Sequence, residues 1–252
     1  MYIAIYIAVS LLVQMIYVLS VKNSFPAMSK GEILDRVLDG TFALGVISCI
    51  IAMWIYMLIS KVRRKSLNAI IKNKKTPPII TVMSVCCAIG SRLLVNVYLY
   101  ISESIPLLKR SIEASTEVSP DIINGGQALI AVFLTVIIAP VFEEILFRGL
   151  VMDELLGIMR PWAAITFQGI LFGITHMALF QSIFAGLLGI LLGVIYYNTK
   201  SIRVSCIFHC VFNFSVILTA TKLSNPSAIL LFVLGLMLCG ISLFYIIANS
   251  NK

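Results

Sequence analysis

The sequence has 252 residues, of which 60% are hydrophobic and only 12% are charged, and its mean hydropathy is +1.03. A soluble domain carries about 25% charged residues, so this composition excludes an ordinary soluble globule and predicts an integral membrane protein in a lipid bilayer. The net charge of +8 could suggest a nucleic-acid partner, but we expect none. Seven basic residues crowd into one loop between apolar spans, as the positive-inside rule describes for cytoplasmic loops: Lys61, Arg63, Arg64, Lys65, Lys72, Lys74 and Lys75.

The apolar segments predict the fold class directly. A membrane-spanning helix needs about 20 apolar residues, and eight segments meet this requirement: 2–21, 41–60, 78–101, 127–150, 162–180, 182–198, 203–220 and 227–248. We therefore predict an all-α, polytopic bundle of about eight transmembrane helices. The first segment lacks a basic start and a small-residue cleavage site, so we expect an uncleaved helix there and not a signal peptide.

The charged loops predict the orientation of the bundle. Acidic residues fall in the first and third loops, whereas the basic residues fill the second, and the sixth contains "NTKSIR" (198–203). With the even-numbered loops inside, both termini are predicted to be cytoplasmic in a multi-pass protein of the cell membrane. The acidic residues are Glu32, Asp35 and Asp39 in the first loop, and Glu103, Glu113, Glu117 and Asp121 in the third.

The chain is predicted to form one integral membrane domain with three functional parts. Residues 1–126 contain about three spans and an outer loop, 127–220 contain the polar motifs, and 221–252 form a final helix. The outer loop, 104–126, is polar and is expected to carry a short surface helix. The six cysteines lie in apolar stretches without a CxxC pair, and most are predicted to be small buried residues. Cys206 and Cys210 could either pack in this way or join a metal site.

The fourth span contains the stretch "APVFEEILFRG" (139–149). Glu144 and Arg148 form an (i, i+4) pair that can neutralise itself, while Glu143 points about 100° away on the helix. A carboxylate inside a membrane costs roughly 2.5–3.5 kcal/mol, so the remaining Glu143 indicates a functional site. Arg92 interrupts the third span, where it could extend to the interface, pair with a carboxylate or hold a substrate carboxylate.

Both histidines of the chain, His176 and His209, fall inside predicted spans. The turn between the fourth and fifth helices is expected near Pro161. Glu143 and His176 lie at similar separations on either side of that turn, so an antiparallel hairpin would bring them to nearly the same depth. Asn213 follows His209 by one helical turn, and Phe172 precedes His176 by one turn.

These three pieces together resemble the CPBP (Abi) family of intramembrane proteases, which includes the type II CAAX prenyl endopeptidases. The resemblance covers about 127–220 and consists of three ordered motifs on separate helices: Glu143-Glu144-x-x-x-Arg148, Phe172-x-x-x-His176 and His209-x-x-x-Asn213. It implies hydrolysis of a peptide bond in a small peptide or membrane-associated protein, with a role in bacteriocin or pheromone maturation or in self-immunity.

The resemblance also implies a role for each residue. Glu143 would activate a water held with His176, His209 and Asn213 would stabilise the oxyanion or help to bind a metal, and Glu144 and Arg148 would orient the site. Glu143, His176 and His209 could alternatively bind Zn²⁺, since two histidines and a glutamate form a known catalytic zinc set. In that case Glu144 would be the candidate base.

Two other functions are compatible with these residues. Intramembrane Glu, His and Arg also occur in proton-coupled carriers, although the internal repeats typical of transporters are not detectable in this sequence. A non-catalytic immunity protein that binds a partner in the membrane is the third interpretation. The sequence leaves open the substrate, its side of entry and the oligomeric state.

Overall fold

The computed structural model describes residues 1–62, 74–116, 128–218 and 225–250. These residues form helices joined by short turns, with no β-strand among them, which confirms the predicted all-α class. In chain order the helices are α1 (Tyr2–Ser24), α2 (Lys30–Val62), α3 (Pro78–Ser102), α4 (Pro106–Thr116), α5 (128–156), α6 (Pro161–Ile174), α7 (Leu179–Thr199), α8 (Ile202–Leu218) and α9 (Asn225–Asn249).

The helix lengths confirm a multi-pass membrane protein. Within the described ranges, six helices are long and apolar enough to cross a bilayer: Tyr2–Ser24, Ala43–Val62, Pro78–Ser102, Leu129–Leu156, Leu179–Thr199 and Ser227–Asn249. The remaining two predicted spans, the fifth and the seventh, correspond to the shorter apolar helices α6 and α8. The orientation of the termini stays a prediction.

Two predicted boundaries differ from the structure. The fifth span was expected to reach residue 180, but α6 ends at Ile174, so His176 lies in the turn after the helix. The acidic residues of the first loop belong instead to α2, which begins at Lys30. Ser29 and Glu32 start this helix as a capping box: the Ser29 N–H donates to Glu32 Oε2 at 2.7 Å, and the Glu32 N–H donates to Ser29 Oγ at 3.3 Å. The Ser29 N–H bond to the carboxylate, with a smaller contribution from the Ser29 side chain, lowers the pKa of Glu32.

Several predicted features fall outside the described residues. They include Arg63, Arg64, Lys65 and Lys72 of the basic loop, and Glu117 and Asp121 of the outer loop. The described part of that outer loop does contain the expected short helix, α4. The functional division at residues 126 and 220 stays a prediction. By their contacts, the residues group into two units, Met1–Ala69 with Val118–Phe142 and Ile70–Glu117 with Glu143–Lys252.

The described residues of the first unit are α1, α2 and α5 up to Phe142. Aromatic side chains hold these helices together: the Tyr56 hydroxyl donates to the Tyr2 carbonyl at 2.7 Å, and the Phe142 ring lies 5.0 Å from that of Tyr6 and 6.5 Å from that of Tyr56. Such contacts let an apolar helix group associate in lipid, where burial from water supplies no driving force between helices.

The second unit contains α3, α4, the rest of α5 and α6 to α9. Glycine residues let two pairs of its helices pack closely. A Cβ on Gly169 would lie 2.7 Å from the Ile190 nitrogen, and one on Gly189 would lie 3.0 Å from the Gly169 Cα. The backbones of α6 and α7 are therefore in direct contact, as small residues allow in membrane helix pairs. α3 and α9 approach in the same manner through Gly90 and Gly235.

α5 is not a uniform α-helix. It contains two π-helical stretches, Leu134–Ile138 and Ile145–Val151, on either side of the α-helical turns that carry Glu143 and Glu144. π-helical turns are rare and occur frequently at functional sites.

In α3, Arg92 and Asn96 are only 7% and 8% exposed, so Arg92 does not extend outward to the interface.

Candidate active site

A buried ion cluster joins α5 to α8 within the second unit. The Glu144 carboxylate lies 2.9 Å from the guanidinium Nη1 of Arg148 and accepts a hydrogen bond from His209 Nδ1 at 2.9 Å. Glu144 and Arg148 are fully buried, and His209 is 3% exposed. Because a lone buried charge is very unfavourable, each of these groups depends on the others. The expected (i, i+4) pair is therefore present, and its carboxylate also orients one of the two histidines.

Arg148 is held from its other side by the backbone of α7. Its Nη2 donates to the Gly189 carbonyl at 3.1 Å, and Gln168 Nε2 donates to the same oxygen at 2.7 Å. The Phe172 ring lies 4.8 Å below the guanidinium carbon. Glycine at position 189 lets α6 approach closely enough for these contacts. The packing of α6 on α7 thus fixes Arg148, which in turn fixes Glu144 and the His209 ring.

Glu143 is the more accessible of the two carboxylates. Its side chain is 29% exposed, and its Oε2 lies 3.7 Å from His209 Nε2. That distance is too long for a direct hydrogen bond. Because Nδ1 of the same ring is bonded to Glu144, the ring orientation directs Nε2 towards Glu143. The carboxylate and this imidazole nitrogen therefore face each other across a short polar gap.

His176 joins this cluster through one aromatic ring. Its Nδ1 lies 2.9 Å from the Phe172 carbonyl, an acceptor, so Nδ1 carries the proton and Nε2 of the neutral ring is left as an acceptor. The Phe172 ring contacts both imidazoles, with centroid distances of 4.8 Å to His176 and 5.8 Å to His209. The two histidines thus pack on the same ring, each with Nδ1 engaged.

The turn that carries His176 is tight and is anchored at its far end. The Ala178 N–H donates to the His176 carbonyl at 2.7 Å, with Met177 between them at φ 63°. This is a strained turn for a residue other than glycine. Beyond it, the Phe180 N–H donates to Ser111 Oγ of α4 at 3.0 Å, and the Tyr98 hydroxyl of α3 donates to the Phe180 carbonyl at 3.2 Å.

The α8 helix places further polar groups beside the site. Asn213 lies one turn after His209 and is partly buried. Ser205 lies one turn before it, is fully buried and donates its hydroxyl proton to the Ile202 carbonyl at 3.0 Å. Cys206 packs against an apolar cluster between α5, α6 and α7, which supports the interpretation of this cysteine as a small apolar side chain.

Sequence reasoning missed Ser205, Gln168 and Gly189. Ser205 shares a face of α8 with His209 and Asn213 at four-residue spacing, a signal that was available. Gln168 and Gly189 act on Arg148 only through the packing of two helices, which spacing along the chain does not reveal.

The predicted zinc set fits these side chains only in part. Glu143 Oε2 and His209 Nε2 lie 3.7 Å apart and are close enough to share one ion, whereas His176 contacts the Phe172 ring and has its Nδ1 on the Phe172 carbonyl. Across the ranges that the structure describes, no group of three or more His, Cys, Asp or Glu side chains is placed to hold a metal ion. The zinc set stays a prediction.

Comparison with known proteins gives one match. Residues 125–215 match the model of the family described as "Type II CAAX prenyl endopeptidase Rce1-like", which confirms the resemblance of this part of the chain to the CPBP proteases. The matched residues include every predicted site residue from Glu143 to Asn213. No curated protein and no solved structure matches the chain.

Proposed function

We propose that the chain, whose residues 125–215 match the Rce1-like type II CAAX prenyl endopeptidases, is a peptidase of that kind and hydrolyses peptide bonds with Glu143 as its reacting carboxylate. The family implies a peptidase, and the multi-pass fold implies that it works within a membrane. The observation that carries the assignment of Glu143 is the contrast between neighbours: Glu144 is fully buried in an ion cluster, while Glu143 is 29% exposed and 3.7 Å from an imidazole nitrogen.

In the proposed reaction, Glu143 removes a proton from a water molecule that attacks the peptide carbonyl carbon. Nε2 of His176 accepts a hydrogen bond from this water, because its Nδ1 proton is bonded to Phe172. The carbonyl oxygen develops negative charge in the transition state. In this proposal the doubly protonated His209 ring donates to it from Nε2, and the Asn213 amide donates beside it. Glu144 and Arg148 keep the His209 ring in place.

A metal remains compatible with the same residues. Zn²⁺ held by Glu143 and His209, with His176 as a further ligand, would polarise the carbonyl and activate the water. Metal analysis of the purified protein, combined with activity before and after chelation, distinguishes the two proposals. Activity that persists in metal-free protein would leave Glu143 as the base.

The experiment uses protein reconstituted in liposomes with an internally quenched peptide that ends in a prenylated CAAX sequence, alongside its unprenylated form. General-base catalysis contributes on the order of 10²–10⁴ in rate, so Glu143→Gln is expected to lose cleavage by about that factor. Its melting temperature should stay that of the wild type, because the Glu143 carboxylate has no direct hydrogen bond to His209 to lose. Unchanged cleavage in Glu143→Gln would refute the proposal.

The substrate class is tested in parallel in cells. Membranes from cells that express the wild type or Glu143→Gln are compared for new peptide ends, which appear only where the active protein cuts. We propose a leader peptide, pheromone precursor or bacteriocin as the substrate. Cells carrying each form are also exposed to a toxic peptide. Equal protection by Glu143→Gln would favour a non-catalytic immunity protein.

A further inference from the structure

Two thiols meet where α3 packs against α9, at a place that the proposed peptidase chemistry does not use. Cys87 Sγ lies 3.5 Å from Cys239 Sγ, and Ser91 Oγ lies 3.7 Å from the same Cys239 sulfur. Both cysteines are free thiols. The two residues are 152 positions apart, so this pairing is a product of the fold.

Glycine packing fixes this meeting point. A Cβ on Gly90 would lie 2.7 Å from the Cys239 backbone nitrogen and 3.0 Å from the Gly235 carbonyl. The backbones of the two helices are therefore in contact beside the thiols. A disulfide has an S–S distance of about 2.05 Å, so the sulfurs need to approach by about 1.5 Å to form one.

The two thiols differ in access. Cys239 lines a cavity of about 190 Å³, whose other walls are mostly apolar, whereas Cys87 does not line it and is fully buried. The rim of the cavity includes Ile183 and Leu187, which are 41% and 66% exposed. Both side chains belong to α7, which is apolar and long enough to span a membrane. With α7 in the bilayer, these exposed side chains of the cavity lining would contact acyl chains.

We propose that Cys239 and Cys87 form an oxidisable pair for an apolar hydroperoxide of the bilayer. The Cys239 sulfur attacks the outer oxygen of the hydroperoxide, the O–O bond breaks, and an alcohol leaves with formation of a sulfenic acid. The Cys87 sulfur then attacks the sulfenic sulfur, water leaves and the S–S bond forms. Two thiols are thereby oxidised by two electrons, the hydroperoxide is reduced to an alcohol, and α3 becomes covalently joined to α9.

The test exposes the reconstituted protein to cumene hydroperoxide, followed by alkylation of the remaining thiols and peptide mass spectrometry. The expected product is a Cys87–Cys239 disulfide that thiol reductants reverse. In Cys87→Ser, Cys239 should stop at the sulfenic acid, which dimedone traps. In Cys239→Ser, Cys87 should stay reduced. Cys86→Ser, which alters the neighbouring thiol on α3, should form the disulfide like the wild type.

Three results would overturn the proposal. One is oxidation of Cys239 in the wild type without the disulfide, and another is oxidation of Cys87 in Cys239→Ser. The third is a disulfide that forms no faster with cumene hydroperoxide than with the same concentration of hydrogen peroxide, since this would exclude the apolar cavity as the route. All four proteins are first compared by melting temperature, so that a folding defect is not read as lost reactivity.

Discussion

The two histidines of the candidate site lie in very different surroundings. His209 is 3% exposed and is held by a carboxylate that is itself paired with a buried arginine. His176 lies in a turn after a helix, hydrogen-bonded to the backbone of its own chain segment. In both motifs a histidine has a partner four residues away, yet the two parts of the site differ. The part around His209 is held by buried paired charges and is called here the rigid half. The part around His176 is held by backbone hydrogen bonds and is called the turn half. We expect the rigid half to be coupled to folding, because it depends on paired buried charges, and substitutions in the turn half to affect stability less.

The largest expected effect is in the rigid half. Arg148→Met removes the partner of a buried carboxylate, and breaking a buried ion pair in this way costs about 3–5 kcal/mol. We expect a large drop in melting temperature in detergent and complete loss of cleavage. The double variant Glu144→Gln/Arg148→Met should recover much of the stability, since no unpaired charge remains, but no activity, since His209 loses its orienting carboxylate. If Arg148→Met alone were as stable as the wild type, the Glu144 carboxylate would not depend on its arginine partner, and the prediction would be wrong.

A smaller effect is expected where the two halves are joined, at the contact of α6 with α7. A Cβ on Gly173 would collide with the Ser182 carbonyl and lie 2.9 Å from the Gly186 Cα. Gly173→Ala should therefore destabilise the protein by about 1–3 kcal/mol. Gly240→Ala on α9 is the matched control: nothing lies within 4 Å of its added Cβ, and alanine favours a helix by up to about 1 kcal/mol. Equal melting temperatures for both variants would show that α6 and α7 do not need this contact.

In the turn half, Ser111→Ala removes the oxygen that accepts the Phe180 N–H. The expected loss of stability is about 1 kcal/mol, while the rate of cleavage should fall because the turn that carries His176 loses an anchor. Ser60→Ala serves as the control, since that hydroxyl donates to the Met57 carbonyl of its own helix. A rate equal to that of the wild type would show that α4 has no part in positioning His176.

The smallest effect has the opposite sign for stability. Met177 adopts φ 63°, which glycine tolerates better than methionine, so Met177→Gly should raise the free energy of unfolding by at most about 1 kcal/mol. It should also slow cleavage, since the tight turn no longer restricts His176. Hydrogen exchange at Ala178, whose N–H closes the turn, reports the loosening directly. Unchanged exchange would indicate that the strain does not hold the turn.

The fold class and the ion pair could be predicted from the sequence because both depend on local rules. Apolar length predicts spans, and the spacing of Glu144 and Arg148 predicts their pairing. The end of α6 could not be predicted in this way, since the apolar residues continue through "HMALF" while the backbone turns at Met177. Nor could the link from Glu144 to His209, because 65 residues separate them and only the packing of α5 with α8 brings them together.

The capping box at Ser29 sets where α2 begins and therefore how long this helix is. A helix of 33 residues rises about 50 Å, while the hydrocarbon layer of a bilayer measures about 30 Å. The helix is thus about 20 Å longer than this layer is thick. Its first turns lie beside α1, where the Tyr17 hydroxyl donates to the Arg36 carbonyl and the Tyr17 ring lies against Gly40. The extra length therefore packs on a neighbouring helix and does not stand alone.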